Sequence, residues 1–159
     1  MKRTIKSESG RSMVEMLGVL AIIGVLSIGG IAGYTMAMNR FRANEAIDIA
    51  NKYASLVFAQ NQTLLARKGS GYNVTDASTG TAGTTAVPSI RTLGLVTAGA
   101  GASNEYNGSN YTVTKIDNDG VEIEITFPTQ SVCEAGVNIL GSTEVCGADG
   151  KITHEFRQS

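Results

Sequence analysis

From Met16 to Asn39 the chain runs for 24 residues without one charged side chain. No other feature constrains the fold so tightly. A helix needs about 20 apolar residues to cross the hydrocarbon core of a bilayer, so this run is long enough to span. A cleavable secretory signal also starts basic and turns apolar, but its apolar part is about 7 to 15 residues, and here the pattern continues into further helical sequence. Lys2, Arg3 and Lys6 crowd the beginning of the chain. The positive-inside rule therefore puts the N-terminus in the cytoplasm and everything after Asn39 across the membrane. The remainder of the 159 residues, 42% hydrophobic and 17% charged overall, suits one small domain with an appended apolar segment. With 13 basic against 14 acidic side chains the formal net charge is -1, and nothing in that balance points to nucleic acid or an anionic surface.

Two details of the apolar run call for explanation. Glu15 stands at its cytoplasmic boundary. A carboxylate there is tolerated in a lone helix, where it reaches the headgroups, but packed among many such helices it needs a cationic counterpart. Gly18, Gly24, Gly29, Gly30 and Gly33 interrupt the run. In water each would cost about 1 kcal/mol against Ala, whereas in a bilayer they let helices approach closely, and Gly29 with Gly33 makes a small-xxx-small pair.

Beyond Asn39 apolar residues at Ile47, Ala50, Ala54, Val57, Leu64 and Leu65 form a helical stripe, and Arg67 and Lys68 before Gly69 mark a C-terminus. One helix from near Ser12 to Lys68 is predicted, about 85 Å long at ~1.5 Å per residue. Gly69 to Asn110 is rich in Gly, Ser, Thr and Ala and can bury little apolar area except over Val87 to Val96, so it reads as a long surface loop, either making contacts between subunits or merely flexible, with one short helix or strand near "SIRTLGLV". In "YTVTKIDNDGVEIEITF", Val121, Ile123, Ile125 and Phe127 alternate with polar residues behind a "DNDG" turn, which predicts a hairpin whose buried face packs on the stripe. The acids of that turn lack the spacing and distal Glu of a calcium loop. Pro128 ends the strand, "SVCEAGVNIL" reads as a short helix, and "GKITHEF" as a last strand with His154 exposed on it. The fold class expected is α+β, a long N-terminal helix packed on a small antiparallel sheet.

Cys133 and Cys146 are the two cysteines. Exported across the membrane they would close a short loop as a disulfide worth roughly 3 kcal/mol, while a cytosolic chain would keep two thiols. Their spacing is not CxxC, and His154, the single histidine, cannot complete a zinc site with them. No Ser/His/Asp or Cys/His arrangement and no phosphate-cradling glycine loop presents itself, so no enzyme, cofactor or metal is expected.

Gly10, Arg11, Ser12, Met13, Val14 and Glu15 followed by the apolar run resemble the class III signal of type IV prepilins. The resemblance implies a leader, 1–10, removed after Gly10 by a prepilin peptidase, with Arg11 as the new, N-methylated terminus where the family more often has Phe, Met or Leu. It implies a transmembrane and filament-core helix over 11–39, its amphipathic continuation over 40–68, and a globular head over 69–159. Glu15, at the fifth mature position, is then an assembly residue that pairs with the terminal amine of a neighbouring subunit and sets axial register. The partners implied are other pilin subunits, the assembly platform and its ATPase, with no nucleic acid. The chain would sit in the inner membrane before assembly and in an extracellular pilus afterwards. "NEYNGS" and "ITFPTQSVC" look more like the type IVb branch. The function implied is the major subunit of a pilus for adhesion, aggregation or mating contact. Two alternatives stay open: a pseudopilin of a type II secretion system, and a membrane-anchored periplasmic domain that never polymerises.

Overall fold

Helix α1 spans Ser9–Lys68, starting at Ser9 rather than Ser12. The structure is a computed structural model, and it describes residues 9–73, 85–97, 104–141 and 144–157. The expected leader over 1–10 therefore lies mostly outside the described residues. The chain divides between Met38 and Asn39 into two compact units. In the first, Met13 to Met38 contains no proline and belongs wholly to α1. The helix ends as its sequence signals: Arg67 and Lys68 occupy the last turn, where cations favour the exposed carbonyls, and the Gly69 N–H reaches back to the Leu65 carbonyl at 3.0 Å.

The second unit is built around the part of α1 after Asn39. Ala43, Ala46, Ala50, Tyr53, Ala54 and Val57 recur at helical spacing and are all buried. The four alanines on this face leave room for the sheet to come close. The stripe ends at Asn61, so the expectation that it extends to Leu64 and Leu65 is corrected: Leu64 is half-buried and Leu65 exposed. The chain leaving α1 turns back over Asn61, whose side-chain Oδ1 accepts the Tyr72 N–H at 2.8 Å, and that polar tie closes the apolar face.

Opposite the helix, β3 (Glu105–Tyr106), β4 (Ser109–Ile116), β5 (Gly120–Thr126) and β6 (Lys151–Arg157) form one antiparallel sheet in the order β3-β4-β5-β6. The hairpin expected from "DNDG" is β4 and β5, with the Asp117 N–H on the Gly120 carbonyl at 2.9 Å. Val121, Ile123 and Ile125 of β5 are fully buried while Glu122, Glu124 and Thr126 point the other way. Burying each of those three is worth roughly 1.5 to 3 kcal/mol. Tyr111 of β4 and Ile152 and Phe156 of β6 complete the inner face.

Between β5 and β6 lies α2 (Gln130–Leu140), preceded by Pro128 and capped by Thr129, whose hydroxyl accepts the Val132 N–H. Its Val132 and Cys133 join the same core.

The segment expected as one long surface loop is more structured than its composition suggests. β1 (Tyr72–Asn73) and β2 (Thr85–Ala86) pair in parallel, and the stretch near "SIRTLGLV" is a single helical turn. The Ser89 hydroxyl accepts the Thr92 N–H at its start, and Leu95 and Gly94 donate to Ile90 and Arg91 at its end. Gly94, at φ 72, supplies the left-handed residue such an ending needs. Ile90 in this turn is fully buried. Residues 74–84 and 98–103 of the expected loop lie outside the described residues.

Candidate assembly segment and head surfaces

The apolar segment has a surface that water cannot satisfy. Its most apolar 18-residue window has a mean hydropathy of 2.2, and none of that window is buried. Ile22, Val25 and Ile28 are 62%, 73% and 73% exposed. A Cβ added at Gly18, Gly24, Gly29, Gly30 or Gly33 would meet nothing within 4 Å. One helix is thus long and apolar enough to cross a membrane, which makes it a candidate anchor. The hydroxyls within it are satisfied internally: Ser27 donates to the Ile23 carbonyl at 2.7 Å and Thr35 to the Ala32 carbonyl at 2.9 Å. No hydroxyl of these two side chains needs water, as a lipid-facing helix requires.

Gly10, Arg11 and Glu15 all fall in the first turns of α1. Glu15 is exposed, at the edge of the uncharged run. Positions 11 and 15 are four residues apart, one turn of helix. Cys133 and Cys146 belong to the other unit.

Those two cysteines are bonded, with Cα atoms 5.9 Å apart and a separation of 13 positions in sequence. Cys133 is fully buried on α2. The bond holds the chain between α2 and β6 against the core, and Glu144 within that stretch meets His154 of β6, Oε1 to Nδ1 at 3.0 Å. His154 is not exposed as expected. It stands opposite Ile123 on the inner face of the sheet, half-buried, with its ring edge-on to Phe156 at 4.7 Å between centroids. Strand alternation places it there, since Ile152 and Phe156 on either side are core residues.

A second polar tie joins the helix to the sheet. Asn107 donates from Nδ2 to Glu45 Oε2 at 3.1 Å. The same carboxylate, as hydrogen-bond acceptor and negative charge, raises the pKa of the Tyr106 phenol. Asn107 and Gly108, at φ 50 and 79, form the two-residue turn between β3 and β4. Asn-Gly is the commonest sequence for that mirror-image turn, because both residues tolerate positive φ. That signal is present in "YNGS", yet the periodicity of the residues before it predicts no strand there. Glu45 itself carries no such signal. Its role depends on a contact 62 residues away.

Among the described residues, recesses border the helix in the head. One is small and lined by Arg42, Glu45, Tyr106 and Tyr111. Another is an open groove of about 300 Å³ between α1 and α2, lined by Arg40, Asn44, Ala135, Asn138 and Ile139. Among the described residues no group of three His, Cys, Asp or Glu is placed to hold a metal ion.

The chain matches no family model, no curated protein and no solved structure.

Proposed function

We propose that this chain is the major structural subunit of a type IV pilus, closer to the type IVb branch. On this reading a prepilin peptidase cuts between Gly10 and Arg11 and Arg11 becomes the methylated terminus. The subunit then waits in the inner membrane with its head outside the cytoplasm, and is drawn into a filament whose core is a bundle of these helices. The observation that carries the proposal is the pairing of an apolar helix with no buried surface and a head that has its own core. Such a helix must be covered by lipid or by other helices, and a filament core supplies the second after the first. The glycines suit close helix packing, since no described residue fills the space above them.

Glu15 gains a reason on the same reading. In a low-dielectric bundle its carboxylate would be costly without a cation, and the terminal amine of an adjacent Arg11 provides one. The disulfide in the head fits an oxidising compartment beyond the inner membrane.

The test is intact mass and N-terminal sequencing of protein sheared from the cell surface. A mature chain beginning at methylated Arg11 in that fraction is the expected result. Uncut chain confined to membranes would replace the proposal with a plain anchored domain. A processed chain that reaches no surface fraction without overproduction would favour a secretion pseudopilin.

A further inference from the structure

The groove between α1 and α2 is built from one turn of each helix. Arg40 and Asn44 are four residues apart on α1, and Ala135, Asn138 and Ile139 stand at i, i+3 and i+4 on α2, so each set shares a face. Its volume of about 300 Å³ is at the lower end of those that hold a small ligand. The lining is mixed: a guanidinium and two carboxamides stand with Ala135 and with Ile139, whose apolar side chain is 40% exposed. Among the described residues no carboxylate pairs with Arg40. The next two acids along α1 are engaged elsewhere, Glu45 by Asn107 and Asp48 by Lys52. Asn138 gives one N–H to the Glu134 carbonyl at 2.9 Å, which leaves its second N–H for a ligand.

The place of the groove along the chain says what it would meet. Arg40 is the first charged residue after the 24-residue uncharged run. With the end of that run at the hydrocarbon boundary, a rise of ~1.5 Å per residue carries Arg40 about 1.5 Å and Asn44 about 7.5 Å beyond it. The headgroup layer is about 5 to 7 Å deep on each side of a bilayer, so the groove opens at headgroup depth. A cation on the translocated side of a span runs against the positive-inside bias, and Arg40 there calls for a counterpart. Phosphate suits it: the planar guanidinium binds two phosphate oxygens at once, and carboxamide N–H groups can take the others. Ile139 then offers an apolar surface to the lipid's hydrocarbon. The chain's net charge of -1 is no obstacle, because the anchor already holds the groove at the surface and raises the effective concentration of lipid there.

We propose that this groove binds the headgroup of an anionic phospholipid, in the leaflet on the side of the membrane that the head occupies, with Arg40 on the phosphate and Asn44 and Asn138 on neighbouring oxygens. The site rests on α1 crossing a bilayer, the anchored stage of the function proposed above, and not on filament formation. The bilayer, as well as the helix, would then restrain the head.

The test is native mass spectrometry of the full chain, released from detergent micelles that contain phosphatidylglycerol or phosphatidylcholine. Wild type should retain more of the first, and Arg40→Gln should lower that retention about tenfold by removing a charge-assisted pair. Arg42→Gln is the control. It removes the same charge two residues on, about 200° round the helix and outside the groove, and should leave retention unchanged. Both arginines are exposed, so neither change disturbs the core. Lys2, Arg3 and Lys6 are common to all three chains, so the comparison cancels their pull on anionic lipid. Equal retention of the two lipids by wild type would overturn the proposal, and so would equal losses in the two variants. Displacement of the lipid by an equal concentration of inorganic phosphate would assign the groove to a free anion instead. Flotation with phosphatidylcholine vesicles checks the anchor separately. A chain that floats but shows no selective retention loses the headgroup site alone, whereas a chain that does not float loses the anchor and the site with it.

Discussion

Tyr53 shows how one residue links burial to a measurable response. Its hydroxyl donates to the Pro88 carbonyl at 2.9 Å, tying the single turn after β2 to the helix. Burial, with a smaller contribution from Tyr72, pushes its pKa from 10.0 to about 12. Burial moves Tyr111 in the same direction, with the Ser109 hydroxyl acting the other way. In the unfolded chain these phenols ionise first, so the folded state binds more protons above pH 10 and stability must fall there. The contribution is fully present below about pH 10 and is lost as pH rises towards the folded value. Tyr53→Phe should flatten this decline, seen as a smaller difference between urea midpoints at about pH 9 and about pH 11. Asn61 acts through geometry. Asn61→Ala removes the acceptor of the Tyr72 N–H and is expected to cost about 1 to 2 kcal/mol in thermal or urea unfolding. Unchanged stability would mean that the turn over Asn61 contributes nothing to the fold.

At the scale of elements, the hairpin of β4 and β5 was the most legible part of the head. Strict alternation over Val121 to Phe127 leaves one way to bury the apolar side chains, and the structure adopts it. α2 was legible for a different reason, since Pro128 stops the strand before the helix read from Ser131, and the structure starts it one residue earlier, at Gln130, behind a Thr129 cap. The disulfide then couples α2 to the stretch leading into β6. Cys133→Ser should destabilise the head by about 3 kcal/mol on the chain-entropy estimate and make residues 141–150 sensitive to protease. Equal resistance in wild type and variant would show that the core alone holds this stretch. Where composition misled was the region after Gly69. Gly, Ser and Thr signalled a long loop, and the stretch excepted from it, Val87 to Val96, does supply the core residues Ile90 and Val96, but the parallel pair of β1 and β2 carried no signal. Low overall hydrophobicity says little about where a few apolar side chains will be needed.

For the whole molecule, the prediction that separates assembly from anchoring concerns Glu15. Glu15→Val should leave processing and membrane insertion intact, since it only lengthens the apolar run, but should abolish surface filaments. Normal filaments from that variant would remove the assembly role proposed for this residue. The sequence alone determined that one segment is long and apolar enough to cross a membrane, because it runs for 24 consecutive residues without a charge. It also determined that the head is helix on antiparallel sheet, because period 3.6 and period 2 were each written plainly into separate stretches. Only the tertiary structure decided that the apolar stripe stops at Asn61, that His154 turns inward to Glu144, that Asn107 reaches Glu45, and that β6 is left as an edge. Each of these depends on which distant strand or turn arrives beside a residue. Periodicity tells a side chain which face it is on, but the neighbour it meets there is set by packing between segments far apart in the chain.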